Sequence, residues 1–160
     1  MARMICKCGE YLSNSSIPND TEIRMYTYEE WSEIQKLGKI DSWLIPSPKY
    51  NVWKCPNCKR IYVFEYGKEY MKKYKLKLQI DLNLLIFKCN DEILNSSAKD
   101  KNRLWVYTDI EWDRILCDDI IEMNKFPNTK YDVIKGSDCE QIYVFEKGTD
   151  NLLMVYELDE

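Results

Sequence analysis

The chain carries one pattern twice. Shifted by 81 positions, residues 5–67 lie on residues 86–148 without a gap, and 24 of the 63 aligned positions are identical. Unrelated chains would share about four, roughly one match in 16 by composition. The shared blocks include Tyr26-Thr27 on Tyr107-Thr108, Glu30-Trp31 on Glu111-Trp112, and Ile61-Tyr62-Val63-Phe64-Glu65 on Ile142-Tyr143-Val144-Phe145-Glu146. Whatever one copy forms, the other must be able to form. Positions held in common report the shared structure, and positions that differ mark where the copies can do different work.

Within each copy the local signals agree. Thr27-Tyr28-Glu29-Glu30 and Thr108-Asp109-Ile110-Glu111 are capping boxes, with Thr at the N-cap and Glu three residues on, and each predicts a helix of about ten residues. Trp31 and Ile34, like Trp112 and Ile115, sit three apart on one helix face and should point inward. Residues 5–8, 23–26, 50–53 and 60–66 read as strands, residues 13–20 as a loop, and Pro46, Pro48 and Pro127 as loop residues. Gly67 and Gly148 suit hairpin turns that need positive φ. Beyond Gly67, Tyr74, Leu76, Leu78, Ile80, Leu82 and Leu84 alternate with polar residues and run into the second copy. No Gly/Ser/Pro linker intervenes, so the copies, residues 1–80 and 81–160, are expected to be fused rigidly through packed or shared strands.

The thiols separate the copies. Cys6-Lys7-Cys8-Gly9 and Cys55-Pro56-Asn57-Cys58 are two close pairs, and the chain has no histidine. Two short turns that each offer two thiolates supply the four soft tetrahedral ligands zinc takes. Lys7, Lys54, Lys59 and Arg60 flank the thiols and favour the thiolate form. Iron, or a redox dithiol, is the competing reading. Four thiolates leave no open position for water, which argues against a catalytic metal. Residues 6–66 resemble four-cysteine zinc-ribbon proteins. That resemblance implies an α+β fold of two tandem zinc-ribbon-like units, each of antiparallel strands plus one helix, with one structural zinc in the first. In the second copy Phe87 and Gly136 stand where Cys6 and Cys55 stand in the first, while Cys89 and Cys139 persist. Those two thiols read as packed remnants, a Cys89–Cys139 bond being the alternative, and Cys117 reads as packed.

The copies also differ in charge. Residues 1–80 carry a net +5 and residues 81–160 a net −9, giving the whole-chain −4. Asp109, Glu111, Asp113, Asp118, Asp119 and Glu122 crowd the second helix and its end, and Asp138 and Glu140 replace Asn57 and Lys59. This is either a solvated face or an acidic docking surface for a basic partner. Trp43, which faces Asn124 in the alignment, either folds back onto the core or stands out as an anchor. Trp53 and Trp105, in strands, read as packing.

An enzyme is disfavoured: there is no histidine, no Gly-rich phosphate loop and no nucleophile elbow. Nucleic-acid binding would use Lys68, Lys72, Lys73, Lys75 and Lys77 with Tyr66, Tyr70 and Tyr74. An acidic half fused to that face would repel phosphate. The favoured expectation is a non-catalytic protein-binding module. The N-terminus lacks a signal peptide's apolar stretch and no apolar run is long enough to span a bilayer, so a cytoplasmic protein is expected. In general character such a chain resembles bacterial toxin-immunity proteins, which implies a basic toxin domain as partner. Trp43, Asp109, Asp113, Asp118, Asp119, Glu122, Asp138 and Glu140 are the candidate contact residues.

Overall fold

The computed structural model describes residues 2–65, 71–79, 101–136, 140–149 and 151–160. The first copy contains β1 (Arg3–Ile5), β2 (Tyr11–Ser13), β3 (Glu22–Tyr26), α1 (Tyr28–Gln35), β4 (Lys39–Asp41), β5 (Tyr50–Lys54), β6 (Ile61–Glu65) and β7 (Met71–Gln79). The second contains β8 (Arg103–Thr108), α2 (Asp109–Leu116), β9 (Ile120–Glu122), β10 (Tyr131–Lys135), β11 (Gln141–Glu146) and β12 (Leu152–Leu158). Both capping boxes form as read. Thr27 Oγ1 accepts the Glu30 amide at 3.3 Å and Glu30 accepts the Thr27 amide at 2.8 Å, and Thr108 and Glu111 repeat this at 3.2 and 2.8 Å.

The strands close on themselves. Their order is β3-β5-β6-β7-β12-β11-β10-β8 and back to β3, an eight-stranded barrel in which every pairing is antiparallel. Each copy supplies half. The halves meet at two seams, β3–β8 and β7–β12. At the first seam Met25 faces Val106, its own counterpart in the repeat, and between β4 and β9 Ile40 faces Ile121, again counterparts. An approximate two-fold axis therefore runs through both pairs.

This corrects the fold expected from sequence. The copies are not two tandem zinc-ribbon-like α+β units. They are halves of one mostly β barrel, with two short α-helices outside it among the described residues. Four strands alone would leave β3 and β7 as open edges, each with a row of unpaired N–H and C=O groups. Pairing them with β8 and β12 removes both edges, which only closure does.

Alternation along the strands divides the apolar residues into layers. Met25, Val52, Tyr74, Leu104, Val133, Ile142, Val144 and Tyr156 face the interior. Their neighbours face out. Tyr26 and Tyr107 pack under Trp31, Ile34, Trp112 and Ile115 in a second cluster that covers the β3–β8 seam. The buried hydroxyls of Tyr26 and Tyr107 donate to the backbone carbonyls of Pro46 and Pro127 at 3.0 and 2.9 Å, which gives the Tyr kept in both copies the same partner. Trp105 stacks on Trp31, with ring centroids 5.9 Å apart, and Trp53 is buried; both are packing residues. Gly148 takes φ 72° in the β11–β12 turn, while Gly67, Ile80, Leu82, Leu84, Phe87, Cys89 and Cys139 lie outside the described residues.

Candidate metal centre

On the outer face of the first half-barrel, Cys6, Cys55, Leu12, Trp53 and Tyr62 form a third buried cluster. Strand alternation explains it: Val52 points inward, so Trp53 points outward, and β5 then ends in the turn that carries Cys55. The β1–β2 hairpin folds over this face and brings Cys6 and Cys8. Each pair sits on a tight turn. In the first, the Gly9 amide donates to the Cys6 carbonyl at 2.8 Å, with Gly9 at φ 91°. In the second, the Lys59 amide donates to the Cys55 carbonyl at 3.1 Å, with Lys59 at φ 62°. The residue after the second thiol is thus left-handed in both turns, so the shorter Cys-Lys-Cys-Gly pair reaches the same end geometry as Cys-Pro-Asn-Cys.

The four Sγ atoms lie within 4.8 Å of one another. Cys6 and Cys58 sulfurs are 3.4 Å apart, and Cys8 and Cys55 sulfurs 3.6 Å. A tetrahedral tetrathiolate site with metal–sulfur bonds near 2.3 Å needs edges of about 3.8 Å. The donor set and its spacing therefore fit a metal ion, and these four residues could hold one.

The surroundings favour thiolates unevenly. Burial pushes the Cys55 thiol up to about 12, against amide N–H groups of Cys58 and Asn57 directed at its sulfur. Burial also acts upward on Cys58, but the Arg60 amide and guanidinium overcome it and bring that thiol down to about 6. The Arg60 guanidinium lies 3.4 Å from Cys58 Sγ. Tyr62 O–H donates to Cys6 Sγ at 3.0 Å and accepts the Lys7 amide at 3.0 Å, so its proton is directed at the sulfur. Arg60 and Lys7 are both held by Asp159, at 3.0 and 3.2 Å. Asp159 belongs to the second copy, so the second half of the chain braces the thiol site of the first.

Arg60 is one of the cations expected beside the thiols, whereas Tyr62 and Asp159 are not among the residues the sequence singles out for the site. The IYVFE block signalled a strand, and only its outward register carries Tyr62 to the sulfur. Nothing local in the sequence places Asp159 near Cys58. Of the flanking cations, Arg60 alone touches a thiol.

The candidate contact residues are partly brought together. Trp43 lies in a single turn of 3-10 helix, Ser42–Leu44, that contacts α2 and is 77% exposed. The Ser42 amide donates to the Asp119 carbonyl at 3.0 Å, and Asp41 pairs with Ile120, itself 60% exposed. Asp113, Asp118 and Asp119 are exposed on α2 and the turn after it. Glu122 borders this surface, paired with Lys39 and Lys125 at 3.2 and 2.7 Å. Asp109 does not belong to it. It is only 4% exposed, accepts from the Asn19 amide and side chain at 3.1 Å each, and faces Arg24. Its role is to pin the loop before β3 to α2. Glu140 is exposed just before β11, where its carbonyl accepts the Leu158 amide, on the β11–β12 side of the barrel. Asp138 lies outside the described residues. Cys117, expected to be packed, is exposed at the C-cap of α2.

No curated protein and no solved structure matches the chain. One family model matches it twice, over residues 2–78 and again over 88–160, and these segments coincide with the two copies of the repeat. The chain therefore belongs to the family described as a domain of unknown function (DUF8617), and carries that domain in duplicate as the two halves of its barrel.

Proposed function

We propose that the four cysteines hold one structural zinc ion and that the chain is a non-catalytic protein-binding module. Four thiolates saturate a tetrahedral zinc. The ion would staple the β1–β2 hairpin to the β5–β6 turn and stiffen the first half-barrel without taking part in chemistry. The binding reading rests on Trp43. A tryptophan 77% exposed, in a turn that contacts α2 and is tied through Ser42 to the Asp119 carbonyl, with Asp113, Asp118 and Ile120 exposed on α2 and the segment after it, has the make-up of an interface anchor near charged residues. The charge suits a basic partner, and a basic toxin domain of the class that immunity proteins neutralise fits it. Binding to nucleic acid by the first half is weaker on one observation. Lys75 and Lys77 both pair with Glu157 of the second half, at 3.3 and 3.0 Å, which withdraws two of the cations that phosphate would need.

Capture with the tagged chain from its source cell, followed by mass spectrometry, tests the reading. A basic protein should be recovered by the wild type and lost with Trp43→Ala. A triple charge reversal at Asp113, Asp118 and Asp119 should weaken its binding by about 1 kcal/mol or more, with a marked salt dependence. Binding unchanged by both variants would remove this surface from the account, and recovery of nucleic acid in place of protein would favour the alternative.

A further inference from the structure

The barrel interior is not filled by its own side chains. A cavity of about 390 Å³ runs between the inner faces of the strands, lined by residues such as Val52, Leu104, Val133, Val144 and Tyr156. A smaller lobe of about 170 Å³ continues toward the other end. Protein interiors are otherwise packed nearly as densely as organic crystals, with few voids larger than a water molecule, so an apolar cavity of this size sets the barrel interior apart. Its volume and apolar walls are those of a small-molecule site, and eight strands is the barrel size that can hold one small ligand.

Polar groups gather at one end of the larger cavity. Tyr50, Val52 and Lys54 alternate inward along β5, so Lys54 enters the cavity lining. No carboxylate among the described residues pairs with it. Lys130 and Glu111 complete the rim with opposite charges, the Glu111 carboxylate also accepting from the Thr108 amide and hydroxyl at 2.8 and 3.0 Å. Among the described residues this end of the cavity thus carries two cations against one carboxylate, a net positive charge above an apolar well. A partly desolvated ammonium without a counter-charge is unfavourable, and an anion placed there relieves it.

We propose that the barrel interior binds a small amphipathic anion, a carboxylate whose apolar body fills the cavity and whose charged end meets Lys54. The site stands independently of the docking surface around Trp43. Calorimetric titration of the full-length, zinc-loaded chain with decanoate, and with decanol as the uncharged control, tests it. Decanoate should bind at about one per chain, more tightly than decanol. Lys54→Met should weaken decanoate about tenfold and leave decanol unchanged. Val133→Phe, which fills the cavity, should weaken both. Val144→Phe serves the same purpose should the first filling variant fail to fold. Thermal midpoint and zinc content identify folded variants, which matters because Lys54 adjoins Cys55. Three results would each overturn the proposal: no decanoate binding, decanoate binding untouched by the filling variants, or an equal effect of Lys54→Met on decanoate and decanol.

Discussion

Tyr62 shows how one residue serves two parts of the structure. Its ring packs in the outer cluster with Trp53, and its hydroxyl spans the Lys7 amide and the Cys6 sulfur. Removing that hydroxyl in Tyr62→Phe keeps the packing and deletes one hydrogen bond to the Cys6 sulfur. Zinc should still bind, with affinity lowered about tenfold in competition with a chromophoric chelator; unchanged affinity would mean that the hydroxyl does not tune the site. Asp132 makes a second local prediction. Burial acts to raise its carboxyl, but the Gly148 amide, Lys147 and Arg103, at 2.8, 3.0 and 2.7 Å, hold it below the usual carboxylate range. A folded-state pKa below the unfolded one gives stabilisation that is complete above about pH 4 and lost as pH falls through the depressed value. Asp132→Asn should therefore lower the urea midpoint at pH 7 and narrow its gap from wild type in acid, while a constant gap at every pH would exclude this linkage. At this scale the four cysteines were legible because metal chemistry demands four donors and the chain offers two close pairs. Arg60 was legible as a flanking cation, but its partner Asp159 was not, because the contact that joins them spans 99 positions.

Helices and strands announced themselves through local chemistry. Each capping box satisfies amides at a helix start that would otherwise lack partners. Thr27→Ala and Thr108→Ala should each cost about 1 kcal/mol in urea denaturation, and a cost near zero for either would show that packing alone holds that helix. Trp31 and Trp112, three residues before Ile34 and Ile115, are buried as the helical spacing requires. Pairing between elements was not legible. Alternation identifies a strand and its two faces but not its neighbour, and both seams join residues far apart in the chain. The same limit governs Asp109. Its position in the first turn of α2 suggested an exposed acidic face, yet the loop before β3 covers it through Asn19. Trp43 stands out because the turn that carries it buries none of its residues.

Across the whole molecule, the duplicated unit is half a barrel, and half a barrel has two open edges. Residues 1–80 or 81–160 expressed alone should not give a folded monomer, and mixing the two should restore dispersed NMR signals and a cooperative melt. A monomeric, well-dispersed spectrum from either piece alone would contradict a barrel closed between the copies. The asymmetry of the copies is laid on this frame. The first carries the thiol cluster, the second supplies the exposed acids of α2, and Asp159 and Glu157 reach back from the second to cations of the first. The central claim is that one duplicated unit builds a single barrel and keeps its metal in the first half only. Native mass spectrometry of the purified chain tests this most directly. The account predicts one zinc per chain, lost in Cys55→Ser and retained when Cys89 and Cys139 are both replaced by alanine. No bound metal, two zinc ions, or one that disappears with Cys89 and Cys139 would contradict it.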